Sequence, residues 1–315
     1  MRLRPTGPLF GFTLRGLFLI TTLVAVGVAF VGVKVKRARD EKAVSAELVR
    51  LGASVQYAIG DVEGVPLREH RTWFERWLDL DLEWHVARVT VPDPKDLDKS
   101  LALATQLPYL KRIGFWGQPD FTVENLAVLS RLPEQSLRQL DLRDSAKLSD
   151  ALVAAAAKVP HLETLWLRKD SRGSSQAESA DWTNKSLVPL SQATDLKELH
   201  VRGRGFTDAH VQSLPALLQL KSCSISDTRI SNAGLIAILH AAPRLERLTV
   251  GNSPIGGSGL SFLKQCPKLL ELWIAECELT DDEIATIRER RLFTRLTPKI
   301  AKPTSPPAPW PFGFD

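Results

Sequence analysis

The sequence predicts an α/β solenoid of short parallel strands, preceded by a single transmembrane helix. Two observations carry this: an apolar triplet that returns eight times, and an uncharged apolar run near the N-terminus. The triplets are Val86-Val89-Val91, Leu110-Ile113-Phe115, Leu137-Leu140-Leu142, Leu162-Leu165-Leu167, Leu196-Leu199-Val201, Leu220-Cys223-Ile225, Leu245-Leu248-Val250 and Leu269-Leu272-Ile274. Their starts lie 24, 27, 25, 34, 24, 25 and 24 residues apart. This spacing, with a period in the twenties, marks a leucine-rich repeat solenoid. Such repeats bury apolar surface only against their neighbours, and the array presents an extended recognition surface.

Residues 16–33 read GLFLITTLVAVGVAFVGV, without a charge. A helix of that length, at 1.5 Å rise per residue, covers about 27 Å, close to the hydrocarbon thickness of a bilayer. Arg15 precedes the run, and Lys34, Lys36, Arg37 and Arg39 follow it. Long basic side chains at those places reach the interface. A cleaved signal segment is the alternative, but Ala25-Val26-Gly27 and Gly27-Val28-Ala29 are weak cleavage sites inside a run longer than a usual signal core. The expected element is a single-pass anchor behind a basic tail at 1–15. Basic residues on both flanks leave open which side of the membrane the repeats face.

Between anchor and repeats, 35–51 has helical spacing with Ala43, Leu48 and Leu51, and Gly52 ends it. The alternating stretch 53–59 predicts a strand, and 60–64 a turn. Over 70–82, Trp73, Phe74, Trp77, Leu78 and Leu82 share one helical face. A helix of that kind would close the open end of a solenoid. Residues 34–85 are thus expected to form a juxtamembrane helix and N-terminal cap, and 86–293 the solenoid.

Within each repeat the triplet predicts a strand with apolar residues inward and the alternate residues outward. The second half reads as helix. Thr122, Ser149, Thr207, Ser231 and Thr280 each precede apolar residues at helical spacing, where a hydroxyl accepts from first-turn amides. Thr280 and Glu283 form a capping box. Pro108, Pro160, Pro243 and Pro267 stand two residues before the next leucine, where proline ends a helix.

The combined repeat, Thr/Ser-Asp-x-x-Leu-x-x-Leu-x-x-x-Pro-x-Leu-x-x-Leu-x-Leu, resembles the ribonuclease-inhibitor-like class of leucine-rich repeats over about 190 residues. The N-terminal run FTLRGLFLITTLVAV, starting at Phe12, is similar to the anchor of bacterial membrane-tethered leucine-rich-repeat proteins. The first resemblance implies a curved right-handed solenoid with strands on the concave face and helices on the convex face.

Two stretches break the period. The repeat at Leu162 is about ten residues longer than its neighbours, and the excess falls in the polar segment 168–181, just before Trp182. Insertions in solenoids fall in loops, either as binding elements or as tolerated additions. Residues 294–315 carry Pro298, Pro303, Pro306, Pro307, Pro309 and Pro311. They predict a disordered, polyproline-like tail, either a linker or a ligand for a proline-recognising domain. Cys223 occupies a leucine slot and reads as a small core residue.

Catalytic patterns are lacking. No histidine pair has metal-ligand spacing, no glycine-rich stretch ends in Lys-Ser/Thr, and there is no Gly-x-Ser-x-Gly elbow. The pairs Asp79/Asp81 and Asp96/Asp98 read as solvated surface. With 41 basic against 36 acidic residues, the charge is too near balance for a nucleic-acid-binding protein. We expect no enzyme, no cofactor, no metal and no small-molecule substrate.

The outward strand positions carry a different message. Arginine recurs there, and Trp116, Trp166 and Trp273 stand where packing does not require them. Tryptophan and arginine are enriched at binding hot spots. The expected binding set on the concave face is Trp116, Arg143, Trp166, Arg168, His200, Arg202 and Trp273. The arginine excess fits an anionic protein partner. The competing reading stacks arginines on tryptophans across a solvated face. The expected function is a membrane-anchored, non-enzymatic scaffold for protein–protein interaction. Alternatives are a self-associating component of a surface or membrane layer, and a glycan or cell-wall binding module.

Overall fold

The computed structural model describes residues 14–59, 62–63, 84–91, 97–115, 122–129, 137–142, 148–169, 182–277, 279–280, 282, 285 and 293–297. Helix α1 (Leu14–Arg50) is continuous. The anchor and juxtamembrane helices expected separately are one element, because the basic residues between them are good helix formers. Its apolar side chains from Leu17 to Val33 are exposed, and by length and composition this helix could cross a membrane. Its second half belongs to the protein core. Ala38, Val44 and Leu48 are buried. They sit on the part of α1 that packs against the first strands and the helix Leu97–Ala104. Gly52, at φ 88°, ends the helix. Its amide donates to Val49 O at 2.9 Å, and Ala53 N donates to Leu48 O at 2.9 Å, a Schellman closure.

The same helix buries Glu41, whose Oε1 has no hydrogen-bond partner. Burial raises its carboxyl from 4.5 to about 7, against the pull of Arg37. A carboxyl raised in the fold is held protonated. The stabilisation is complete below the unfolded value near 4.5 and is lost as pH rises through 7. The thermal midpoint of the full chain is expected to fall by several degrees between pH 5 and pH 8, and Glu41→Gln to remove most of that fall. An unchanged slope in the variant would assign the pH dependence elsewhere.

Strand β1 (Ser54–Ile59) pairs antiparallel with β2 (Val62–Glu63) on one side and β3 (Trp84–Val91) on the other. From β3 onward the sheet is parallel: β4 (Arg112–Phe115), β5 (Gln139–Leu142), β6 (Thr164–Arg168), β7 (Glu198–Arg202), β8 (Ser222–Ser226), β9 (Arg247–Gly251), β10 (Glu271–Ala275) and β11 (Phe293–Thr297). The eight triplets are β3 to β10. Strand β11 is a ninth parallel strand, in register with β10. This corrects the expected tail: residues 294–297 belong to the sheet. The open edge of β10 offers a row of backbone donors and acceptors, and β11 satisfies them. The remaining tail, the expected cap helix with Trp73, Phe74, Trp77, Leu78 and Leu82, and the Glu283 partner of the Thr280 capping box lie outside the described residues.

The inward positions form three stacked columns, headed by Val86, Val89 and Val91, and none of these side chains is more than 3% exposed. Cys223 fills its leucine slot, and burial pushes its thiol up to about 12. On the far side, helices alternate with the strands. Among the N-cap hydroxyls, Ser149 accepts from Leu152 N at 3.3 Å and Ser231 from Ala233 N at 3.3 Å, as expected, while the Thr207 hydroxyl meets His210 Nδ1 at 2.8 Å instead.

The residue after the hydroxyl does a second job. Asp208 accepts from Ser231 N at 2.7 Å, Ser231 Oγ at 2.6 Å and Gly234 N at 3.1 Å, all in the next repeat. Asp150 likewise receives Thr183 N at 2.9 Å and the Ser186 hydroxyl. Asn232 receives Gly256 N at 2.9 Å. Each of these three repeats thereby orders the start of the one that follows.

Of the 168–181 insertion only Arg168 and Lys169 are described. Trp182, where the chain returns, is buried. Its ring meets Phe206 edge-on at 5.2 Å and stacks on His210 at 5.2 Å, and its indole N–H donates to Gly205 O at 3.2 Å.

Candidate binding face

The strand register sorts the outward side chains into rows across the sheet. One row runs Thr90, Gly114, Asp141, Trp166, His200, Ser224, Thr249, Trp273. The next contains Arg168, Arg202, Ser226, Gly251 and Ala275. Of the residues expected to bind, Trp166 and His200 are therefore neighbours, as are Arg168 and Arg202. Trp273 stands three strands further along, about 14 Å away at the usual strand spacing. Trp116 and Arg143 lie outside the described residues.

Trp166 and His200 stack with ring centroids 5.1 Å apart and planes 11° apart. The other neighbour of Trp166 is Arg112, whose guanidinium sits 4.3 Å from the ring centroid. Arg112 also donates to Asp141 Oδ2 at 3.1 Å, and Asp141 is buried. Trp166 is thus held on both sides and half-buried, an arrangement that fixes its ring before any partner arrives. Trp273 is 41% exposed.

The arginine excess of the sequence is largely neutralised within the face. Arg112 meets Asp141, Arg202 meets Asp227 at 2.8 Å, and Arg247 meets Glu198 at 2.7 Å. Asp227 also takes the Asn252 amide at 2.8 Å. That hydrogen bond, with Arg202 and Arg168 beside it, holds the Asp227 carboxyl below the usual range. An anionic partner would compete with these carboxylates, so the charge argument for it is weaker than the residue count implies. Sequence reasoning gave Asp141, Glu198 and Asp227 no role. The available signal was their position one repeat (Asp141, Asp227) or two repeats (Glu198) away from an outward arginine.

Between His200 and Trp273 the face is low. Strand β8 presents Ser222, Ser224 and Ser226, and β9 presents Thr249 and Gly251. Aromatic side chains therefore flank a floor of small residues two strands wide in this row and the next, while in the row before them Arg247 of β9 reaches past Ser222 to Glu198. Among the described residues no group of histidine, cysteine, aspartate and glutamate could hold a metal ion.

No family description and no curated protein matches the chain. Solved structures that match include an internalin C2 from Listeria monocytogenes, at 17% identity over 67% of this chain and 81% of that one, TM-score 0.43. Another is an internalin, inlF, from the same organism, at 14% identity over 68% and 78%, TM-score 0.28. A third is the TLR13–ssRNA13 complex, at 18% identity over 56% of this chain and 30% of that one, TM-score 0.32. Likeness at this level carries no functional argument, and the fold assignment rests on the chain's own repeats. Eight triplet strands in parallel register, with interleaved helices and buried apolar columns, make this chain a leucine-rich-repeat solenoid behind an apolar N-terminal helix.

Proposed function

We propose that the chain is a membrane-anchored, non-enzymatic scaffold that binds a protein partner on its sheet face. The observation that carries this is the flanked floor. Trp166 and His200 stand on one side, Trp273 on the other, and serine, threonine and glycine lie between. A span of about 14 Å accommodates one partner helix or an extended segment. Half-exposed aromatics around small residues supply apolar contact at low entropic cost. The continuity of α1 from its exposed apolar half into the core supports the anchoring part of the reading, since it leaves no flexible joint before the solenoid. The ribonuclease-inhibitor-like subclass, with its concave sheet, remains part of this proposal, supported by the strand–helix alternation.

The test is crosslinked capture from intact membranes with the full chain. Trp273→Ala, and separately Trp166→Ala with Arg168→Ala and Arg202→Ala, are expected to weaken partner recovery at least tenfold while thermal midpoints stay within a few degrees, as hot-spot truncation does. An unchanged partner set in both variants, with the fold intact, would remove this face from the account.

A further inference from the structure

At the edge of the sheet, beyond the proposed face, the chain leaves strands β7 to β10 through residues in the left-handed region: Gly203, Asp227, Asn252 and Glu276, at φ 108°, 55°, 42° and 56°. These turns shape a cleft of about 270 Å³ lined by Arg204, Thr228, Arg229, Asn252, Ser253 and Glu276. Its floor is rigid and internally satisfied. The Thr228 and Ser253 hydroxyls lie 3.0 Å apart, Thr228 N donates to Ser253 Oγ at 3.3 Å, and Ser253 Oγ donates to Gly251 O at 3.0 Å. Both hydroxyl-bearing residues are buried.

The charges at the rim differ from those on the face. There, arginines meet carboxylates of other repeats. Arg204 and Arg229 lie one repeat apart, both exposed, with no carboxylate or ring partner among the described residues. Two arginines lining one cleft repel each other, and a doubly charged anion between them reverses that term. The planar forks also match tetrahedral oxyanions. Glu276, on the same cleft, opposes a second anionic group.

We propose that this cleft binds a phosphate group, with Arg204 and Arg229 as the two anion-holding side chains and Glu276 selecting against polyanionic ligands. The volume suits a phosphorylated side chain or a free phosphate, and the test separates the two. The site is independent of the proposed partner face.

The test is calorimetric titration of the full chain in detergent micelles with phosphoserine, inorganic phosphate and, as control, serine. Phosphoserine is expected to bind and serine not to. Arg204→Gln and Arg229→Gln should each weaken phosphoserine about tenfold or more, the loss of one charge-assisted fork. The double variant should abolish binding at an unchanged thermal midpoint, and Glu276→Gln should tighten it. Phosphoserine binding tighter than phosphate points to a modified side chain as the natural ligand, and equal binding points to the free ion; either outcome supports the site. Phosphoserine that binds no better than serine, or equally well to the double variant, overturns it.

Discussion

Trp182→Ala is expected to destabilise the solenoid by about 3–5 kcal/mol, the range for deleting a buried aromatic side chain. The indole is 6% exposed and stands where the chain re-enters the core after its longest interruption. The substitution removes the edge-on contact with Phe206, the stack on His210 and the N–H bond to Gly205 O together. Gly205 cannot compensate by growing, because a Cβ there would collide with the Lys169 side chain and lie 3.0 Å from Lys169 O. Trp182→Phe keeps an aromatic ring and loses the donor, so its cost should be under half as large. Solenoid stability depends on contacts between neighbouring repeats, so the loss should lower the unfolding midpoint of the whole array. Chemical denaturation of the full chain in detergent checks this. A cost below about 1 kcal/mol would show that the insertion is held some other way.

The second large effect concerns the contact between Asp208 and Gly234. Asp208→Ala removes the acceptor of three bonds from the following repeat, including two backbone amides at a helix start. At about 1 kcal/mol or more per bond, the expected cost is about 2–4 kcal/mol. Gly234→Ala should cost about 1–3 kcal/mol by overpacking. Its Cβ would fall against Asp208 Oδ1, 2.7 Å from Ile230 Cγ2 and 2.9 Å from Val211 Cγ2. The two changes act on the same space. With the carboxylate gone, part of the room a Cβ needs is free, so the double variant should cost less than the sum of the singles. A double-mutant cycle with strict additivity would show that the aspartate does not set the approach of the two repeats.

The same pair shows where sequence reading reached its limit. Ser231 could be read as an N-cap from its place before an apolar helical pattern, because capping acts within one turn. The role of Asp208 could not, since its partners lie 23 and 26 residues away and only the stacking of repeats brings them together. The charges behave alike. Arg202 was visible as an outward residue, but the carboxylate that neutralises it, Asp227, comes from the next repeat. Strand β11 was hidden because its pairing depends on the open edge of β10 more than on its own pattern.

The sequence by itself determined the solenoid, its period, the inward columns and the apolar N-terminal helix. Those follow from local periodicity and from the number of uncharged residues in a row, which act on every turn and strand alone. Tertiary structure alone decided that this helix continues into the core, that the sheet face is charge-balanced with Trp166 clamped and Trp273 exposed, and that Arg204 and Arg229 line one cleft. These depend on which residues of different repeats become neighbours, and that is fixed by stacking register, which no single repeat contains.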